Sequence, residues 1–147
     1  MGKNKKITVI VLAAGKSERF GQNKILYELD GVPVIIKTLK TIYQLSNVKN
    51  VVVVCSKENI GKINVILRDG NIQTNTVTVL GGSTRMESFL NAINYCDMNN
   101  VSNEIIIVQD AARPNATLEL YQKGIESLDI YDAVIPGIKP NDTVKII

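Results

Sequence analysis

An α/β protein with an open, doubly wound, mostly parallel sheet is the fold class this sequence predicts. Short continuous apolar runs at residues 7–14, 51–55, 77–80, 105–108 and 133–136 have the composition of strands buried on both faces. Stretches with apolar residues at helical spacing lie between them, and strand alternating with helix implies crossovers onto a parallel sheet. Size agrees: 147 residues, 45% hydrophobic and 21% charged, predict one globular domain over 1–147. A core burying roughly 68 to 70% of the unfolded surface then needs no covalent staples.

The first run, 7–14, follows Lys3, Lys5 and Lys6 and could pass for the core of a signal peptide. It is short for that role, is rich in β-branched residues, and meets charged Lys16, Glu18 and Arg19 at once, so a buried strand accounts for it better. No other run approaches the roughly 18 residues that span a bilayer, which predicts a cytoplasmic protein. Val34, Ile35, Leu39 and Ile42 then mark a first helix, and 51–55 is the second strand. Ile60, Ile63 and Leu67 mark a second helix before the strand at 77–80. Met86, Phe89, Leu90 and Ile93 recur at i, i+3, i+4, i+7 and predict the buried face of a third helix. The strand at 105–108, a helix over 118–128 and a fifth strand at 133–136 complete the series, with 69–75 and 99–103 as polar connections.

Composition removes several kinds of chemistry. The chain has no His, which excludes an imidazole base or ligand. Cys55 and Cys96 form no CxxC pair, against structural zinc or a secreted disulfide scaffold. A net charge of +3 with only 5% aromatic residues argues against a nucleic-acid surface, which needs cations interleaved with stacking rings.

Ligands of such sheets bind beyond the carboxyl ends of the strands, so the segments leaving each run are where function is sought. Ala13, Ala14 and Gly15 would let backbone approach a ligand, with Lys16, Arg19 and Lys24 close behind. This is not a Walker A loop, because Ile10 stands where the first glycine would be, and an ordinary strand-to-helix turn with solvated cations explains it equally well. In the second segment Gly81 and Gly82 could lie against a base or ribose, although a tight turn would look the same. Thr84 and Glu87 there form a capping box, which helix initiation alone explains. In the third, Asp110 follows a buried strand where Mg²⁺ on a nucleoside triphosphate could be held, while a plain Asp110–Arg113 ion pair remains open. The fourth, 141–145, also fits a polar turn opening a strand.

Taken in order, the four segments resemble the cytidylyltransferases that make 4-diphosphocytidyl-2-C-methyl-D-erythritol. Leu12-Ala13-Ala14-Gly15 with Arg19 and Lys24 is similar to that family's first loop, Gly81-Gly82 with Arg85 and Ser88 to its cytidine-binding turn, and Asp110-Ala111-Ala112-Arg113-Pro114 to its most distinctive stretch. Asp142-Thr143-Val144-Lys145 resembles the segment that meets the acceptor. Ribitol-5-phosphate cytidylyltransferases look alike, but Ala14 and Ala112 stand where they tend to Gly and Val. Ser17, Asn23, Ser83 and Gln109 replace residues the family usually has as Gly, Pro, an acid and His.

The resemblance implies a Rossmann-like sheet of the nucleotide-diphospho-sugar transferase type, and transfer of CMP from CTP to 2-C-methyl-D-erythritol 4-phosphate with loss of pyrophosphate. By resemblance Arg19 and Lys24 are catalytic, and Ala13, Ala14, Gly15, Lys16, Gly81, Gly82, Arg85 and Ser88 bind the nucleotide. Asp110, Arg113 and Thr143 meet the substrates, with Asp110 also holding Mg²⁺. The attacking phosphate is already anionic, so a chain without His suffices. The family continues past Ile147 with an arm that clasps a second subunit and a strand bearing another metal-binding Asp and a phosphate-binding Lys. That implies one nucleotidyltransferase domain cut short, a homodimer for a full-length form, and a non-catalytic CTP-binding module as an alternative for this chain.

Overall fold

The computed structural model describes residues 5–15, 21, 23–72, 75–101 and 104–139. Lys16, Arg19 and Thr143, together with Ser17, Asp142 and Lys145, lie outside the described residues. Four strands form one parallel sheet: β1 (Ile7–Ala13), β4 (Val48–Cys55), β5 (Thr76–Leu80) and β6 (Ile105–Asp110), in the order β5-β4-β1-β6. A two-stranded ribbon, β2 (Glu28–Leu29) and β3 (Val32–Pro33), precedes helix α1 (Val34–Ile42). The remaining helices are α2 (Ile60–Asp69), α3 (Arg85–Met98) and α4 (Leu118–Ser127).

Because side chains alternate along a strand, the continuous apolar runs of β1 and β4 feed two cores at once. Val9, Val11, Val51 and Val53 pack with Ile35 and Leu39 of α1, Ile63 of α2 and Tyr121 of α4. Ile10, Val52 and Val54 point the other way, to Ala92 and Cys96 of α3. The chain steps outward from β1 to β4 to β5, then returns across the sheet to place β6 on the opposite side of β1. The order therefore reverses between β1 and β6, and a crevice opens at such a switch point beyond the carboxyl ends.

Two expectations are corrected. Residues 133–136 form no strand: this stretch is exposed, with Ile135 at 90%, and makes no ladder on β6. An apolar run states what would gain from burial, but a strand also needs a neighbour for its backbone groups. The buried stripe of α3 is Ser88, Ala92 and Cys96, at i, i+4, i+8, while Met86 and Leu90 are exposed and Phe89 and Ile93 half-buried. Small side chains seat this helix on β1, β4 and β5, and the larger ones flank the contact. The β2–β3 ribbon is an element beyond those the sequence predicts, and Asp30-Gly31, both at positive φ (54° and 72°), is its hairpin-turn dipeptide. Among the described residues no helix is long and apolar enough to cross a membrane.

Candidate functional site

Register sets the strand ends level. Ala13 lies opposite Cys55, Cys55 opposite Leu80, and Leu12 opposite Asp110, so the segments leaving all four strands emerge along one edge. Ala13 is buried, Ala14 half-buried and Gly15 exposed, which grades the first loop from core to solvent. Lys24 is exposed at the start of a turn in which the Asn23 carbonyl accepts from the amides of Leu26 (3.1 Å) and Tyr27 (3.2 Å). Next to it Ile25 is buried in the core and its carbonyl accepts from Ile35, so the turn is fixed even though its lysine faces water.

The two segments assigned to the nucleotide meet. The Gly81 amide donates to the Cys55 carbonyl at 2.8 Å, continuing the sheet by one bond. A Cβ on Gly81 would stand 2.7 Å from the Ala14 methyl and 2.8 Å from Ser88 Oγ, so only glycine lets the first loop, the second loop and α3 close together. Ser88 is 4% exposed, and its hydroxyl accepts from the Gly82 amide at 3.2 Å. Gly82 is equally crowded, with the Glu87 Cβ 2.3 Å from where its own would be. The expected capping box is present: Thr84 Oγ1 accepts from the Glu87 amide (3.0 Å), and the Glu87 carboxylate accepts from the Thr84 amide (3.3 Å). That carboxylate also takes the Ser83 hydroxyl (2.6 Å) and amide (2.7 Å), and these bonds hold Glu87 below the usual carboxylate range.

A charged cluster stands across the switch point. Asp110, the last residue of β6, accepts from Arg85 Nη2 on Oδ1 (3.1 Å) and is ion-paired with Arg113, whose Nε lies 2.9 Å from Oδ2. The Asp110–Arg113 pair left open by the sequence is therefore made, and Arg85 joins it from the first turn of α3. Two guanidiniums on one carboxylate leave a net positive charge, and with both arginines mostly exposed their other N–H groups can meet phosphate oxygens. The turn beneath is pinned: the Ala111 amide donates to Leu12 (3.0 Å), Gln109 Nε2 donates to the carbonyls of Asp110 (3.1 Å) and Arg113 (3.3 Å), and Thr38 Oγ1 donates to the Ala111 carbonyl (2.9 Å).

Thr38 and Asn59, whose amide donates to the Ala13 carbonyl at 2.9 Å, carried no signal in the sequence, since each acts across a long separation. The edge offers no thiol nucleophile, because burial pushes Cys55 up to about 12. No cluster of three or more metal-ligating His, Cys, Asp or Glu side chains occurs among the described residues.

The family model described as 2-C-methyl-D-erythritol 4-phosphate cytidylyltransferase matches residues 7–147. A protein of that name from Clostridium novyi is 34% identical over 141 residues, covering 94% of this chain and 59% of its own. The bifunctional enzyme IspD/IspF of Pelagibacter ubique is 35% identical over 92% of this chain and 35% of its own. The solved structure of 4-diphosphocytidyl-2C-methyl-D-erythritol synthase from Anaerococcus prevotii superposes with a TM-score of 0.79 at 29% identity, covering 100% of this chain and 61% of that one. The chain thus spans about three fifths of the length of these single-function relatives.

Proposed function

The chain belongs to the 2-C-methyl-D-erythritol 4-phosphate cytidylyltransferase family, and from that premise we propose that it binds CTP at the β1–β6 switch point and transfers CMP to 2-C-methyl-D-erythritol 4-phosphate. The observation that carries this reading is the meeting of Ala14, Gly81 and Ser88 beside the Asp110–Arg85–Arg113 cluster. The first group supplies a flat backbone floor for base and ribose, and the second a positive rim for phosphates.

An oxygen of the acceptor's phosphate attacks the α-phosphorus in line, a new P–O bond forms, and the bond to the pyrophosphate oxygen breaks. The attacking group carries its own negative charge, so the protein's task is alignment and charge stabilisation. Arg19 and Lys24 would face the charge on the α-phosphate, with the Gly15 and Lys16 amides beside them. Gly82 and Ser88 would read the cytidine, Arg85 and Arg113 would hold phosphate oxygens, and Thr143 would touch the acceptor.

Asp110 offers one half-buried carboxylate, which suits a cation held mainly by phosphate oxygens. Bound there, Mg²⁺ would neutralise charge on the triphosphate. Its ligation requires Arg85 or Arg113 to turn from Asp110 toward the phosphates. The reading also includes a cytoplasmic location and a homodimer of the whole protein.

Calorimetry tests the base choice: CTP with Mg²⁺ should bind more tightly than ATP, GTP or UTP, and equal or better binding of a purine nucleotide would remove the cytidylyl assignment. Pyrophosphate release tests the acceptor. Turnover with ribitol 5-phosphate in place of methylerythritol phosphate would transfer the chain to the related activity, and CTP binding without turnover would favour a binding module.

A further inference from the structure

Asn59 stands at the junction between β4 and α2, 3% exposed. An Asn immediately before a helix ordinarily caps it, with extended backbone and its side-chain oxygen on an amide of the first turn. Here the backbone is at φ −109°, ψ −14°, and the side chain makes no cap bond. Instead Nδ2 reaches 46 positions back and donates to the Ala13 carbonyl at 2.9 Å.

Neighbouring exits of the sheet are closed by backbone. The Leu12 carbonyl takes the Ala111 amide and the Cys55 carbonyl takes the Gly81 amide, whereas a side chain holds the Ala13 carbonyl. That carbonyl belongs to the Ala13–Ala14 peptide, whose plane sets where the Ala14 methyl and the Gly15 amide lie against Gly81 and Ser88. The arrangement has a cost, because Asn59 Oδ1 is buried with no hydrogen-bond partner among the described residues. A smaller or apolar side chain would remove that acceptor but would leave the Ala13 carbonyl without its donor, so the bond to the first loop is what the amide supplies here.

We infer that Asn59 is a positioning residue for the nucleotide: its amide fixes the Ala13–Ala14 peptide so that the first loop closes on Gly81 and Ser88. The inference rests on the reading of this edge as the CTP site. Its signature is a loss of nucleotide affinity larger than any loss of stability explains.

Asn59→Asp keeps the shape and removes the donor, and Leu67→Ala destabilises the same helix from its buried face, away from the strand exits. CTP affinity by calorimetry, melting temperature, and exchange of the Ala14 and Gly15 amides are measured for each. Asn59→Asp should bind CTP about tenfold more weakly, with faster exchange at both amides, since a buried acceptor is left unmet. Leu67→Ala should melt lower with its CTP affinity unchanged. Between about pH 8 and about pH 5 the Asn59→Asp defect, taken relative to unsubstituted protein at each pH, should shrink as the introduced carboxyl regains a proton to donate.

Wild-type affinity and exchange in folded Asn59→Asp would overturn the inference, as would an equal affinity loss in Leu67→Ala. Should Asn59→Asp fail to fold, Asn59→Ser, which is too short to reach the carbonyl, carries the same comparison. If unsubstituted protein takes no CTP, the functional reading falls, and the exchange rates alone then decide whether Asn59 orders the loop.

Discussion

The two sides of strand β1 differ in how their neighbours are held. Toward β4, three bonds hold the carboxyl edge among the described residues: Ala13 to Asn59, Gly81 to Cys55, and Gly82 to Ser88. Beyond β6, no further strand is present among the described residues, an apolar groove is bordered by Phe89, Ile106, Val108, Leu120 and Val134, and the segment 131–139 is exposed throughout. The same residue types serve both regions, so hydrophobicity does not distinguish them. What differs is whether a partner strand and buried polar side chains complete the contact. The β4 side is where the base and ribose are assigned, and the switch point separates the two.

Stability should follow this division most strongly. Leu39→Ala, in the α1 face packed on β1 and β4, should cost about 2 to 5 kcal/mol in denaturant unfolding, whereas Ile138→Ser, at 95% exposure, should stay within about 0.5 kcal/mol. Comparable losses at both positions would mean that the 131–139 segment is folded onto the groove in solution.

Turnover should break differently. Lys24 is exposed, so Lys24→Ala should leave the unfolding midpoint nearly unchanged while lowering pyrophosphate release by the whole protein by on the order of 10² to 10³. Rates within a factor of a few of wild type would make it a surface charge. Gly81→Ala sharpens the comparison at the loop contact: its Cβ cannot occupy 2.7 Å from Ala14, so the loops must part, and CTP affinity should fall about tenfold with little change at the β6 groove.

The smallest effect concerns pH. Glu87 is held below its ordinary value of 4.5 by Ser83 and Thr84, so its contribution to the start of α3 is fully present above 4.5 and is lost as pH falls through the lowered value. Glu87→Gln should flatten the acid limb of a stability profile below pH 4.5 and leave it unchanged near neutrality. An unaltered acid limb would mean that the capping bonds do not persist in solution.

Much of this fold is legible in the sequence because β1 and β4 are buried on both faces, and an unbroken run such as Val51 to Val54 has no other economical explanation. Residues 133–136 carry the same signal without the partner that would make it a strand. The α3 stripe is misjudged for a related reason, since Met86 and Leu90 are the larger residues but Ala92 and Cys96 are the ones that let the helix approach the sheet. In the site, Gly81, Asp110 and Arg113 are singled out by their position after strands, and Ser88 by the family resemblance. Thr38 and Asn59 are not, because their partners lie 73 and 46 residues away and only the folded chain brings them together.

The nucleotide's base and ribose are assigned to the β4 side of the switch point. Titration of CTP with Mg²⁺ into isotopically labelled protein, followed by backbone amide resonances, locates it most directly. The largest shifts should fall on Ala14, Gly15, Gly81, Gly82 and Ser88, with smaller ones at Asp110 and Arg113, and Ile106, Val108 and Leu120 should stay in place. Shifts concentrated along the β6 groove, with Ala14 and Gly81 unmoved, would contradict that assignment.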